Sequence, residues 1–127
     1  MSQQNVELVR SIHRLWGEDE SARHLIDPDL EYVNPPYAVE SGTRHSRGAL
    51  FKVREVYPDF RLEPERFVDA GENVVVIGTV RGTASAGSGI EAQWRQGYVW
   101  TVRDGRAVRF RWFNDPKEAL KAVGLRE

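Results

Sequence analysis

Three histidines are the side chains of this sequence whose ionisation lies closest to physiological pH. His13, His24 and His45 are far apart in the chain, and a neutral imidazole can act as a general acid or base near neutrality. His24 is expected to face solvent from a helix, and His45 to stand on a loop surface. Cysteine is absent, which excludes disulfides, thiolate metal sites and a cysteine nucleophile. No histidine pairs with a carboxylate at a recognisable ligand spacing, so we expect no metal site and no cofactor.

His13 is the strongest candidate for acid–base chemistry. It stands at the border of the apolar face of a predicted helix, one turn before Trp16, and its ring could enter an internal cavity beside Tyr32 or Asn34. A reaction in that cavity is then expected to follow an ionisation near the ordinary histidine pKa of about 6.5, adjusted by burial. The alternative is a half-buried helix histidine whose ring bonds to water or to the backbone.

Aromatic and amide side chains are the candidates for a binding pocket. Aromatic rings supply apolar walls, and tyrosine and asparagine supply a few oriented polar groups. Strand alternation sends Glu31 and Glu91 to the outer face of the predicted sheet, away from such a pocket. The alternative for these residues is ordinary core packing. The predicted lining consists of Trp16, Tyr32, Asn34, Tyr98, Trp100, Trp112 and Asn114.

Helices are expected mainly in the first half of the chain. Apolar residues recur at helical spacing over residues 4 to 16, and a third helix is predicted over residues 48 to 57. A second, short helix between them is expected to carry Ala22, Leu25 and Ile26 inward before Asp27-Pro28-Asp29 ends it. After the strands, Asp115 and Pro116 form a helix start, with the aspartate as cap.

Strands dominate the rest. Residues 30 to 34 are typical of a strand and residues 35 to 47 of a surface loop or lid. From residue 59 the period becomes strand-like, with a hairpin connection over residues 84 to 89 and a tight turn at Asp104-Gly105. The four predicted strands cover residues 60–69, 73–83, 90–102 and 107–114.

Alternation divides the last two long strands into two faces. On the inner face the first strand places Trp94, Gln96, Tyr98 and Trp100, and the second places Val108, Phe110, Trp112 and Asn114. The outer face mixes arginines with Val75, Ile77, Val99 and Phe113, and Glu63, Glu65 and Glu91 are expected to neutralise the positive charge. That mixture predicts a homodimer interface.

Composition excludes several classes of protein. The 127 residues fit one domain, predicted to be an α+β domain over residues 1–127. With 18 basic and 19 acidic side chains, the chain lacks the basic excess of a nucleic-acid binder. A polar amino terminus and the absence of a long apolar run predict no membrane span and a cytoplasmic protein.

The order of these elements resembles the SnoaL-like branch of the nuclear transport factor 2-like superfamily. The resemblance covers nearly the whole chain and rests on three segments: residues 27–32, 99–105 and 110–115. It implies a cone-shaped, curved antiparallel sheet with three or four helices closing an internal pocket, and commonly a homodimer formed through the outer sheet face. The isomerases of that superfamily need a general-base carboxylate where this chain has Asn34, and a deep hydrogen-bond donor near Tyr98, whose phenol could stabilise an oxyanion.

Three functions therefore stay open. The first is a pocket protein that binds a small, largely apolar molecule, with no nucleic-acid or membrane partner. The second is a cofactor-independent polyketide cyclase, dehydratase or isomerase that acts on a polycyclic substrate, with His13 and Tyr98 as its catalytic residues. The third is a protein-interaction module that uses the outer sheet face. The absence of a carboxylate inside the predicted cone favours the first over the second.

Overall fold

The computed structural model describes residues 2–16, 23–38, 42–51, 60–83 and 91–125. In these ranges six strands form one curved sheet in the order β2-β1-β6-β5-β4-β3. The β1–β6 pair is parallel, and the other neighbours are antiparallel. The α+β class is confirmed, with more strands and, in the described residues, fewer α-helices than expected. The elements are α1 (Ser2–Trp16), β1 (Ile26–Asn34), β2 (Gly42–His45), β3 (Arg61–Ala70), β4 (Asn73–Thr83), β5 (Glu91–Arg103), β6 (Arg106–Phe113) and α2 (Pro116–Ala122).

The segment between α1 and β3 differs most from the sequence-based expectation. Only a 3-10 turn, Arg23–Leu25, precedes Ile26, which opens β1 instead of ending a helix. Pro28 is tolerated in β1 because it lies between Ile26 and Glu31, where the pairing of β1 with β6 is interrupted by a register shift. The predicted loop contains the short strand β2. Of the predicted third helix, Arg47–Phe51 is a 3-10 helix; residues 52–57 and the hairpin at 84–89 lie outside the described residues.

The β5–β6 hairpin shows why the strand predictions succeeded. Its turn places Asp104 and Gly105 at φ values of 51° and 76°, the left-handed conformations that an Asp-Gly turn supplies cheaply. A bulge between Thr101 and Val102 pairs Val102 with Ala107. Ala107 consequently joins the inner core where Val108 was expected.

The two sheet faces bury separate cores, one under each helix. The inner face packs α1 residues such as Val9 and Ile12 against Tyr98 and Trp100. The outer face packs α2 residues Ala119 and Leu120 against the sheet. The expectation that all helices lie on the inner face is therefore wrong for α2. The apolar outer-face residues that α2 covers are Val75, Ile77, Val99 and Phe113.

Two local features seat α2 on the outer face. Asp115 caps the helix, since its side chain accepts a hydrogen bond from the Lys117 N–H at 2.9 Å, and Pro116 occupies the first turn as predicted. Gly97 lies directly beneath the helix. A Cβ at Gly97 would stand 2.7 Å from the Ala119 Cβ, so only glycine permits this close approach.

Candidate functional site

A cavity of about 150 Å³ opens on the inner face of the sheet. Strands β1, β5 and β6 supply most of its lining, and the 3-10 helix Arg47–Phe51 supplies one aliphatic side chain. Of the eight described residues that line the cavity, six are aromatic. They are Tyr32, Leu50, Phe60, Trp94, Gln96, Tyr98, Phe110 and Trp112.

The aromatic wall follows from strand alternation. Tyr98 pairs with Trp112 across the β5–β6 ladder, and Tyr32 pairs with Phe110 across the parallel β1–β6 ladder. Phe110 links the two pairs, with ring centroids 4.9 Å from Tyr98 and 5.3 Å from Tyr32. These separations lie in the range of favourable aromatic contacts. The rings of Tyr32, Phe110 and Tyr98 therefore form one continuous part of the wall.

One polar chain crosses this apolar wall. The Tyr98 hydroxyl donates to Gln96 Oε1 at 2.9 Å, and Gln96 Nε2 donates to Asn114 Oδ1 at 3.1 Å. Tyr98 is buried and Asn114 is exposed. The chain thus runs from the cavity lining to the protein surface.

A second set of bonds holds Trp112 in place. Its Nε1–H donates to Asn34 Oδ1 at 2.8 Å, and Asn34 Nδ2 donates to the Gly42 carbonyl at 3.3 Å. The exposed ring of Tyr37 packs edge-on against Trp112, and its oxygen accepts the Asn114 backbone N–H at 2.8 Å. Asn34 stands where the isomerases of the superfamily need a carboxylate, and here its side chain orients Trp112.

The described lining carries no side chain that is charged at neutral pH. Burial raises the pKa of Tyr32 to about 12, and burial together with the nearby Tyr32 raises the pKa of Tyr98. Both phenols stay protonated. Among the eight lining residues in the described part of the chain, the remaining polar groups are amides and indoles.

His13 lies behind the cavity wall. Its Nε2 accepts a hydrogen bond from the Trp100 indole N–H at 2.9 Å, and its ring stacks on Tyr98 with centroids 5.9 Å apart. Burial lowers the pKa of His13 from 6.5 to about 3, because the charged imidazolium is poorly solvated there. Burial therefore moves the ionisation of His13 below the ordinary histidine value from which the sequence-based prediction started. His24 and His45 are exposed.

The structure brings together only part of the predicted site. Tyr32, Tyr98 and Trp112 line the cavity, and Asn34 and Asn114 bond to lining residues. Trp100 lies in the inner core beside His13. The side chain of Trp16 lies outside the described residues.

Five lining residues were missing from the sequence-based site. Alternation had put Trp94, Gln96 and Phe110 on the correct face, so a stricter use of that pattern would have found them. Leu50 stands in the predicted third helix and Phe60 at the start of a predicted strand, and neither pattern indicated that these side chains would line the pocket. The five are Leu50, Phe60, Trp94, Gln96 and Phe110.

On the outer face, carboxylates pair with most of the arginines, as expected. Arg81 bonds to Glu63 at 2.8 Å, and Arg95 bonds to Glu65 at the same distance. Arg61 with Glu91 and Arg109 with Glu31 form two further pairs. A second cavity, of about 260 Å³, lies between this charged ladder and the start of α2. Because its walls carry both signs of charge on exposed side chains, it is a poor match for an apolar ligand.

The apolar part of the outer face no longer supports the predicted dimer interface. The apolar outer-face residues that suggested it are covered by α2 of the same chain, so their burial needs no second copy. Arg111 remains half-buried on that face, and its Nε has no hydrogen-bond partner within the described residues. Burial, and then the neighbouring Arg109, lower its pKa. The homodimer remains a prediction, and its support is now the half-buried, charged Arg111 on the outer face.

Within the described ranges, no group of three or more His, Asp or Glu side chains is arranged to hold a metal ion. No helix in the described part of the chain is long and apolar enough to cross a membrane.

Comparison with known proteins identifies relatives of the whole fold. A family model described as a SnoaL-like domain matches residues 10–110. An NTF2-like protein of unknown function from Burkholderia pseudomallei is 28% identical, with 95% of this chain and 98% of that chain covered and a TM-score of 0.72. TerC, co-crystallised with polyporic acid, is 26% identical, with coverages of 94% and 98% and a TM-score of 0.72.

More distant structures share the fold alone. A protein with a ketosteroid isomerase-like fold from Catenulispora acidiphila, in complex with trimethylamine, is 15% identical, with coverages of 94% and 93% and a TM-score of 0.71. A comparison with curated protein sequences found no match.

Proposed function

Since this chain belongs to the SnoaL-like domain family, we propose that it is a pocket protein that binds a small, uncharged, largely apolar ring molecule. The binding site is the inner-face cavity. The observation that carries the proposal is the combination of six aromatic lining residues with the hydrogen-bonded side chains that begin at Tyr98. Apolar walls with a few placed polar groups are the usual composition of a small-molecule site.

The cavity volume sets the size of the ligand. An apolar protein cavity of roughly 150 Å³ accommodates one benzene-sized ring, and pockets for drug-sized ligands hold roughly 300 to 1,000 Å³. The cavity formed by the described residues has about 150 Å³. A single ring with one substituent fits this space.

The protonation states set the charge of the ligand. A buried charge needs a partner of opposite sign or extensive hydrogen bonding. With both lining phenols protonated, the described wall offers no ionised partner. We therefore expect a neutral molecule whose single hydroxyl or carbonyl meets the polar chain.

The relatives support ligand binding without naming the ligand. TerC, at 26% identity, was co-crystallised with polyporic acid. That observation supports a small organic molecule as the class of partner for this chain as well.

The two alternative functions have less support from the geometry. An isomerase, cyclase or dehydratase needs an acid or base near the substrate, but His13 bonds to Trp100 and its pKa is about 3. Tyr98 donates a hydrogen bond to Gln96 in the arrangement observed, and a hydrogen-bond donor alone supplies neither the acid nor the base. An interaction module would need an apolar outer face, and α2 covers the apolar part of that face.

A matched pair of variants tests the proposal. Trp112 lines the cavity, and its neighbour Phe113 packs on the opposite face of the same strand. We expect the neutral probe para-cresol to bind with a dissociation constant of roughly 0.1 to 1 mM, typical of a ligand with so few atoms. Trp112→Leu should weaken binding about tenfold because it removes an aromatic wall, whereas Phe113→Leu should leave affinity unchanged.

The measurement is a titration followed through the NMR signals of the tryptophan indole N–H groups. Circular dichroism of each variant checks that the fold is retained. Equal weakening by both variants, or no saturable shift in the unmodified protein, would contradict the proposed site.

A further inference from the structure

Three side chains form a continuous hydrogen-bonded chain between the cavity and the surface. Tyr98 donates to Gln96 Oε1, and Gln96 Nε2 donates to Asn114 Oδ1. Tyr98 and Gln96 both line the cavity and are buried, and Asn114 is exposed. Each member can both donate and accept hydrogen bonds.

The hydrogen bonds between these three side chains can be arranged in two ways, with the same number of hydrogen bonds in each. A half-turn of both amide groups exchanges their nitrogen and oxygen atoms at almost no change in shape. Gln96 Nε2 then donates to the Tyr98 oxygen, and Asn114 Nδ2 donates to Gln96 Oε1. In this second arrangement the Tyr98 hydroxyl no longer donates to Gln96 and can donate to a ligand.

We propose that Gln96 and Asn114 together set the hydrogen-bond polarity of the pocket, so that it accepts both the hydroxyl and the carbonyl form of a small ring molecule. The inference rests on the proposed binding function. A ligand hydroxyl donates to the Tyr98 oxygen in the arrangement observed, and a ligand carbonyl accepts from the Tyr98 hydroxyl in the reversed one. The ligand class is therefore a phenol or alcohol and the matching aldehyde or ketone.

Asn114 is the position from which the direction can be controlled. Its side chain is exposed, so that a charge placed there stays solvated. Its backbone N–H is fixed by the bond to the Tyr37 oxygen at 2.8 Å. A substitution at Asn114 therefore changes what the outer end of the chain donates or accepts, without altering the cavity wall.

Two variants fix the Gln96 amide in opposite orientations. In Asn114→Asp the new carboxylate only accepts, so it holds Gln96 Nε2 outward and Oε1 toward the Tyr98 hydroxyl. In Asn114→Lys the new ammonium only donates, so it holds Gln96 Oε1 outward and Nε2 toward the Tyr98 oxygen. Asn114→Ala imposes no direction and is the control.

The experiment compares pyrrole, whose N–H only donates, with benzaldehyde, whose carbonyl only accepts, since a phenol does both and cannot report the direction of the bonds. Affinities are measured by indole N–H titration for the unmodified protein and the three variants. Asn114→Asp should weaken benzaldehyde binding roughly fivefold, and Asn114→Lys should weaken pyrrole binding by a similar factor, the cost of one neutral hydrogen bond. Asn114→Ala lets Gln96 take either orientation, so it should change the two affinities by the same factor.

The outcomes separate this inference from the function on which it rests. If both probes bind the unmodified protein and the Asp and Lys variants alter both affinities in parallel, or neither, the reversible chain is wrong and the binding function stands. If neither probe binds the unmodified protein, both proposals fail. Toluene, which has no hydrogen-bonding group, should bind all four proteins equally, and a dependence of its affinity on residue 114 would also overturn the inference.

Discussion

Replacing His13 with glutamine should make the protein markedly more resistant to acid unfolding. The pKa of His13 falls from 6.5 to about 3 on folding because its ring is buried, and its Nε2 accepts the Trp100 N–H. Since the folded pKa lies below the unfolded one, the unfolded chain binds a proton before the folded chain does. The neutral ring's contribution to stability is therefore complete above pH 6.5 and is lost as the pH falls toward about 3.

The magnitude follows from that shift. Each pH unit between the two pKa values costs about 1.4 kcal/mol of unfolding free energy. At about pH 5 the loss reaches roughly 2 kcal/mol, a large fraction of the 5 to 15 kcal/mol typical of a domain. His13 as a whole residue keeps partial solvent contact, so this figure is an upper bound.

Glutamine is the informative replacement because its amide oxygen can accept the Trp100 N–H but does not titrate in this range. The assay is urea unfolding at several pH values between about 7 and 4, analysed by linear extrapolation. His13→Gln should be close to the unmodified protein in stability at neutral pH and should lose less between pH 6.5 and 4. His24→Gln, at an exposed position, should leave the pH dependence unchanged. An identical pH dependence in the His13 variant would refute the reasoning.

Two further predictions concern the outer face. Gly97→Ala should lower the free energy of unfolding by about 1 to 3 kcal/mol in urea titrations, because its Cβ would lie 2.7 Å from the Ala119 Cβ. Adding Ala119→Gly should restore part of this loss of stability. An unchanged free energy of unfolding in Gly97→Ala would contradict the packing of α2. We expect the protein to sediment as a homodimer at micromolar concentration and Arg111→Glu to shift it toward monomer; an unmodified protein that sediments as a monomer would end that prediction.

Local signals accounted for the strands and turns that were predicted correctly. The strand predicted over residues 73–83 coincides with β4 because apolar residues and flanking turn residues mark both of its ends. The Asp104-Gly105 turn and the Asp115 cap are also short-range features whose chemistry can be recognised without any partner. The inner faces of β5 and β6 followed from simple alternation, which is why Tyr98 and Trp112 were correctly placed together.

The features that the sequence did not predict depend on contacts between residues that are far apart in the chain. β2 is exposed along its whole length and has no alternation, so only its pairing with β1 defines it. The side on which α2 packs depends on the missing Cβ of Gly97, a contact between distant elements. His13 has the helical position of a cavity residue, and only the structure shows that Trp100 and Tyr98 enclose it.

The crystal structure of the protein soaked with para-cresol tests the proposed site most directly. The proposal predicts one ring in the inner-face cavity, between Trp112, Phe110 and Tyr98, with its hydroxyl within hydrogen-bond distance of the Tyr98 oxygen. Para-cresol found instead in the outer-face cavity beside α2, or an inner cavity that stays free of the probe at saturating concentration, would contradict it.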